Sequence, residues 1–192
     1  MATMEVVVLI VAGLMVGFIN TLAGGGSVIS LSVLIMLGLP AGVANGTNRI
    51  AILLQTLAAT SSFRQQKVLD SRKALVLGIP SAVGSFIGAK IAVDINEQVF
   101  EHAIAVILLF MLFIILAKPN RWLKSRQDLI ERKVTVWQVI LFFLMGIYGG
   151  FIHIGVGYFL LAGIVLGAGY DLVRANAIKV MIVLLYVPFA LL

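Results

Sequence analysis

Long apolar runs, separated by short polar or glycine-rich stretches, follow one another along almost the whole chain. The apolar segments cover residues 5–22, 27–38, 42–62, 74–93, 102–117, 134–152, 156–168 and 172–192. A helix needs roughly 20 apolar residues to cross a bilayer, so 27–38 and 156–168 are too short to cross comfortably. The pattern predicts an all-α integral membrane protein, a multi-span helical bundle in which some helices are short or re-entrant.

Composition and charge strengthen this prediction and orient the chain. Hydrophobic residues make up 61% of the 192 residues and charged residues 11%, whereas a soluble domain is usually about half apolar and a quarter charged. Ten of the fourteen basic residues lie in the polar stretches 64–73 and 118–133, which the positive-inside rule makes cytoplasmic loops. Because these basic residues are accounted for as cytoplasmic loops, they do not indicate nucleic-acid binding. The number of apolar segments before the first of these loops places the N-terminus outside.

A similar pattern of glycines and amides occurs twice in the chain. The stretch "GFINTLAGGGSVISLSVLIMLGLPAGVANGTNR" aligns with "GFIHIGVGYFLLAGIVLGAGYDLVRANAIK". The alignment matches Asn20 with His153, Gly24 with Gly155, Gly26 with Gly157, Gly38 with Gly169 and Asn45 with Asn176. The first copy starts outside and the second starts inside, which predicts an inverted repeat, the transporter architecture that binds substrate near the midplane.

The repeat defines the domain organisation that we expect. Residues 1–117 form the first transmembrane repeat, 118–133 the cytoplasmic linker and 134–192 the second repeat. In the first repeat, two further apolar segments follow "ANGTNRIAILLQTLAA". We therefore expect about two more segments after Leu192.

The glycine run at residues 24–26 interrupts an apolar stretch at its middle. Glycine permits a positive φ and a close approach of another backbone, and non-helical backbone at membrane depth requires a buried or cavity-lining position. Ser27 is expected to cap the next helix, whose N–H groups and positive dipole end would hold an anion at the break. The alternative is that the glycines only allow close helix packing, which is our interpretation of Gly84 and Gly88.

Several polar residues recur at helical spacing inside apolar segments. They are Asn45, Asn48, Arg49 and Gln55 in segment 42–62, and Asn176 and Lys179 in segment 172–192. Ionisable groups within membrane segments mark a pathway or a pair, and no segment interior holds an Asp or Glu that could neutralise Arg49 or Lys179. The two cations therefore predict an anion site, although they could also snorkel to the interface.

His153 takes the place in the second repeat that Asn20 has in the first. It could be a packing residue, or it could donate to an anion or carry a proton, since its ordinary pKa is near neutrality. The candidate substrate-binding residues are Asn20, Thr21, Gly24, Gly25, Gly26, Ser27, Asn45, Thr47, Asn48, Arg49, His153, Gly155, Gly157, Asn176 and Lys179. We expect no metal and no cofactor.

Both copies of the pattern carry a family resemblance. "GFINTLAGGGSVISLSVLIMLGLPAGVANGTNR" and "YGGFIHIGVGYFLLAGIVLGAGYDLVRANAIKVMIVLLY" resemble the sulfite exporter TauE/SafE family of membrane permeases. The resemblance implies transport of sulfite or organosulfonates such as sulfoacetate, driven by an ion gradient, in a bacterial-type plasma membrane. The chain departs from the family pattern where "GVGY" replaces a fuller glycine run and where His153 replaces an amide.

The sequence bears on three classes of function. A secondary transporter, specifically an exporter of small sulfur-containing anions, accounts for the repeat, the breaks and the unpaired cations together, with a proton or sodium as candidate coupling ion. A passive anion channel would use the same lining groups. An enzyme needs a nucleophile with a base or a metal cluster, and the chain has no Cys, no His pair and no intramembrane carboxylate for one.

Overall fold

The computed structural model of the chain describes residues 3–22, 24–116 and 127–191, and within these ranges the regular structure is helical. The helices are α1 (Thr3–Leu22), α2 (Ser27–Met36), α3 (Ala41–Gln65), α4 (Ser71–Asp94), α5 (Glu97–Leu116), α6 (Gln127–Ile130), α7 (Val136–Phe151), α8 (Val156–Ala162) and α9 (Leu172–Ala190). Helix α8 continues into a π-helical turn, Gly163–Gly167. Most of the predicted cytoplasmic linker, including Lys118, Arg121, Lys124 and Arg126, lies outside the described residues.

Each predicted apolar segment coincides with a helix, because a helix satisfies the hydrogen bonds of its own backbone where no water is present. Helix α4 continues through Pro80 and Gly84 near its centre. The short segments are indeed short helices: α2 has 10 residues and α8 has 7. By length and composition, α4 and α9 are long and apolar enough to cross a membrane. The single turn α6, in the predicted linker, was not expected from the sequence.

Large apolar side chains cover the outside of the bundle, whereas two cations, Arg49 and Lys179, lie within it. Leu14 is 72% exposed, Phe18 69% and Leu54 64%, whereas Arg49 is 5% exposed and Lys179 2%. A soluble domain almost never buries Arg or Lys fully while exposing large apolar side chains in this way. The distribution suits a hydrocarbon environment.

Helices α4 and α7 form an extensive contact through small residues. A Cβ on Gly84 would lie 2.9 Å from the backbone nitrogen of Ile147, and one on Gly88 would lie 2.8 Å from that of Phe151. Because the neighbouring atoms are backbone, no side chain fits at either position. The packing interpretation of Gly84 and Gly88 is therefore confirmed.

Candidate functional site

The two glycine-containing breaks, one between α1 and α2 and the other between α7 and α8, lie against each other. A Cβ on Gly24 would lie 2.5 Å from the Cα of Gly157, so the two backbones are in direct contact. Gly24 also has a φ of +89°, a conformation that L side chains rarely adopt. Position 24 thus requires glycine both for its turn and for its packing. Both interpretations of the glycine run, a break in the helix and close packing, therefore apply to Gly24.

The other glycines of the first break are covered by neighbouring groups. A Cβ on Gly25 would lie 2.6 Å from the hydroxyl oxygen of Tyr158, and one on Gly26 would lie 2.6 Å from the carbonyl oxygen of Val16. In the second break, Gly155 has a φ of +66° and precedes the first residue of α8. Both breaks are therefore tightly packed, non-helical backbone in the interior.

A small cavity lies where the breaks meet. Its volume is about 20 Å³, enough for a water-sized molecule. Its lining residues are Asn20, Gly24, Ile52, Gln55, Thr56, His153, Gly157, Lys179, Val180 and Val183. Among the described residues, its lining includes one cation, one imidazole, two side-chain amides and one hydroxyl, but no carboxylate.

Lys179 of α9 caps the C-terminal end of α1. Its Nζ donates to the carbonyl oxygens of Asn20 at 3.0 Å and Thr21 at 3.2 Å, and to Asn176 Oδ1 at 2.7 Å. Asn176 in turn donates from Nδ2 to the Leu22 carbonyl at 2.7 Å. The last carbonyls of a helix have no intrahelical partner and carry a partial negative charge, so a cation satisfies them well.

Arg49 of α3 caps the C-terminal end of α7 in the same way. Its Nη2 donates to the carbonyl oxygens of Gly150 and Phe151, and its Nη1 donates to that of Ala190 near the end of α9. Asn45, one turn earlier on α3, donates from Nδ2 to the Phe151 carbonyl at 3.2 Å. Each amide and cation pair thus caps the broken helix of the opposite half of the chain.

This arrangement overturns the snorkelling alternative. Both cations are buried and bonded to backbone carbonyls of other helices, so neither extends to an interface. It also explains how two positive charges remain in the interior without a carboxylate: the ends of α1 and α7 supply the compensating negative dipoles. In the α3 pair, two buried atoms, Arg49 Nε and Asn45 Oδ1, have no hydrogen-bond partner in the described part of the chain.

Two side-chain pairs lie at matched positions of the repeats, and three of their four members, Asn20, Gln55 and His153, line the cavity. Asn20 Nδ2 donates to Gln55 Oε1 at 3.5 Å, a long hydrogen bond. In the other half, Tyr186 Oη lies 2.9 Å from His153 Nδ1, and the two rings are tilted with centroids 5.6 Å apart. The first pair has no titratable group, whereas the second consists of an imidazole and a phenol.

The structure corrects two of the predicted roles. Ser27 does not cap α2 with its side chain; it is the first residue of the helix, and its N–H donates to Asn20 Oδ1 at 3.1 Å. Asn20, seven residues earlier, therefore acts as the capping group. Thr47 lies apart from the site, since it is exposed and donates to the Val43 carbonyl within its own helix at 2.8 Å.

The remaining candidates surround the cavity without lining it. Thr21 donates to the Gly17 carbonyl at 2.8 Å and accepts from Gln55 Nε2 at 3.1 Å. Asn48 Oδ1 accepts from the hydroxyl of Ser30 at 2.6 Å, which joins α3 to α2. These residues hold the cavity walls in place.

Thr56 and Tyr186 were absent from the predictions, and Gln55 was predicted only as part of the polar face of its segment, outside the list of binding residues. The repeat carried a signal for two of them, because Gln55 and Tyr186 both lie ten residues after the matched asparagines Asn45 and Asn176. Extending the alignment that far would have paired them. Thr56 carried no signal, since its hydroxyl bonds within α3 to the Ile52 carbonyl at 2.8 Å, as in many apolar helices.

A further contact between the halves lies outside the spanning helices. Tyr170 Oη donates to Asp70 Oδ2 at 2.5 Å, and Asp70 Oδ1 accepts from the N–H of Lys73 at the start of α4. Burial alone would raise the pKa of Asp70, but the bonds from Tyr170 and the backbone, together with the Lys73 charge, hold that pKa below its ordinary value. The carboxylate therefore joins the two halves while it is ionised.

The chain is similar in sequence to several bacterial membrane proteins. The chain is 29% identical over 171 residues to the "Probable membrane transporter protein ORF9" of Sinorhizobium, covering 88% of this chain and 64% of that protein. It is 25% identical over 170 residues to a "Probable membrane transporter protein" of Haemophilus influenzae, covering 88% of this chain and 66% of that protein. The chain thus spans slightly under two thirds of the length of these curated relatives.

A third relative is "Probable membrane transporter protein YfcA" of Escherichia coli K12, 24% identical over 170 residues, with 88% of this chain and 62% of that protein covered. No solved structure gives a significant match. The family model described as "Sulfite exporter TauE/SafE" matches residues 9–192, nearly the whole chain. With the apolar exterior and the buried cations, this match makes the chain a membrane protein that belongs to the sulfite exporter TauE/SafE family.

Proposed function

We propose that the protein is a secondary transporter for small sulfur-containing anions, sulfite or an organosulfonate, and that the anion binds in the cavity between the two glycine breaks. The observation that carries the proposal is the direct contact of Gly24 with Gly157 beside Lys179. Broken backbone at membrane depth, with a cation and amide donors around it, is the arrangement in which membrane transporters hold charged substrates.

The internal repeat supports an inverted two-fold arrangement about this cavity. The four described glycines with positive φ are Gly24, Gly38, Gly155 and Gly169, and these are two of the pairs that the alignment matches. The caps are also exchanged: α9 closes the end of α1, and α3 closes the end of α7. Such reciprocal contacts are expected when two similar halves pack head to tail.

The cavity favours a carrier over a permanent pore. At about 20 Å³ it holds a water-sized molecule, so an anion with an SO₃ group enters only when the walls separate. The three N–H groups of Lys179 already have three acceptors: two carbonyls at the end of α1 and the side chain of Asn176. An anion that bonds to this ammonium must displace at least one of them. Anion binding would thereby loosen the end of α1, which links substrate occupancy to helix movement.

Flux measurements in proteoliposomes test the proposal. The purified protein should accumulate labelled sulfite or methanesulfonate against its own concentration gradient when an ion gradient is imposed, and Lys179→Gln should abolish that uptake. The matched control is Lys90→Gln, which removes an exposed lysine of α4 that lies over the Phe86 ring and should leave uptake unchanged. Downhill flux alone would favour a channel, and no flux of any anion would refute the proposal.

A further inference from the structure

His153 is the only histidine among the residues that line the cavity, in the part of the chain that the structure describes. It lies between α7 and α8 and is 6% exposed. Its Nδ1 is 2.9 Å from Tyr186 Oη. One ring nitrogen is therefore engaged with α9, while the ring itself lines the cavity.

The charged and titratable groups around His153 come from several elements. Arg49 of α3 bonds the carbonyls of Gly150 and Phe151, shortly before His153, and Lys179 of α9 lines the same cavity. Tyr186 of α9 bonds the ring, Tyr148 of α7 donates to the Ile154 carbonyl at 2.5 Å, and Tyr158 of α8 packs on the first break. A third positive charge beside two cations is repelled unless a negative charge enters with it.

We propose that His153 binds a proton together with the anion, so that the protein carries one proton with each anion that occupies the cavity. The inference rests on the proposed anion site. The proton comes from water and binds a ring nitrogen; the charged ring then has N–H groups at both positions. Nδ1–H donates to Tyr186 Oη, and Nε2–H donates to the anion.

The anion makes this protonation favourable, because it offsets the repulsion from Arg49 and Lys179. Protonation in turn strengthens anion binding by the same free energy, as linkage requires. The first repeat shows the neutral counterpart, since Asn20 occupies the matched position and pairs with Gln55. Proton binding is therefore confined to the second repeat, which supplies His153.

The test uses methanesulfonate, because its charge does not change with pH in the neutral range, whereas sulfite itself titrates there. Calorimetric binding is measured at pH 7.5 in two buffers with different heats of ionisation, which gives the number of protons taken up per anion. We expect about one proton for the wild type, and an affinity that falls about tenfold per pH unit above neutrality. His153→Asn, which copies the residue of the first repeat, should bind with no proton uptake and a flat pH profile.

The matched control is His102→Asn, which removes an exposed histidine of α5 that contacts the Gln98 carbonyl and should leave proton uptake unchanged. Wild-type binding without proton uptake overturns the inference but leaves the anion site intact. Proton uptake that persists in His153→Asn also overturns it, since another group would then be responsible. Failure of the wild type to bind or move any sulfur anion refutes the proposed function itself. Where His153→Asn fails to fold, His153→Gln takes its place with the same expected loss of proton uptake, and a wild type without proton uptake overturns the inference in either case.

Discussion

Replacement of Arg49 by glutamine tests whether this residue is mainly a cap for α7. Two of its guanidinium nitrogens donate to three backbone carbonyls, those of Gly150, Phe151 and Ala190. A buried hydrogen bond to a charged group stabilises by about 1.5–3 kcal/mol, and the individual values do not add. We expect Arg49→Gln to lower the free energy of unfolding by about 3–5 kcal/mol, as for a broken buried charge interaction.

Arg49→Lys should recover only part of this loss, because lysine keeps the charge but lacks the planar fork that reaches two helix ends at once. The assay is reversible unfolding in mixed micelles, with helicity followed as the denaturing detergent is increased. Lys90→Gln is the matched control, and it should change the stability by about 1 kcal/mol or less, since it loses only an exposed contact with an aromatic ring. An Arg49→Gln protein whose stability stays within about 0.5 kcal/mol of the wild type would refute the capping argument.

Three further predictions concern the break, the Asp70 contact and the topology. Gly24→Ala should lower the free energy of unfolding by about 2–4 kcal/mol in the same assay, because residue 24 has a φ of +89° and a Cβ there would meet backbone atoms. Gly46→Ala is the control: it has open space around it and should be neutral or slightly stabilising. Because the pKa of Asp70 is lowered in the folded state, its carboxylate stabilises the fold above about pH 4, and this stabilisation is lost as the pH falls through the folded-state pKa. The melting temperatures of the wild type and Asp70→Asn should therefore converge in acid. Cysteines introduced at Glu97 should react with an impermeant thiol reagent from outside the cell, and those at Lys124 only after permeabilisation; the reverse pattern would contradict the predicted orientation.

Local features of the sequence were enough to predict the helices and the breaks. Each apolar segment forms a helix because its own backbone satisfies its hydrogen bonds, whatever packs around it. Gly24 and Gly38, with their matches in the second half, adopt positive φ because glycine is the residue that does so at least cost. These properties depend on near neighbours in the chain, and near neighbours are what a single sequence shows.

The partners of the polar side chains were decided by the tertiary structure. The sequence placed Arg49 and Lys179 inside apolar helices, but their acceptors lie 101 and 159 residues away in the chain. Asn20 replaced Ser27 as the cap of α2 for the same reason, since the turn through the break brings its amide oxygen to the helix start. Thr47 shares its helix with Asn48 but faces outward, because a helix rotates each successive side chain by about 100°.

Local patterns in the amino-acid sequence were thus enough to place the helices, the breaks and the cations Arg49 and Lys179 inside apolar segments. The tertiary structure decided which helix ends those groups satisfy and which of them reach the central cavity. The physical reason is that a buried cation needs compensating negative charge, and here that charge comes from the carbonyl ends of α1 and α7. Backbone carbonyls are present at every residue, so no residue type in the sequence marks the ones that serve as partners.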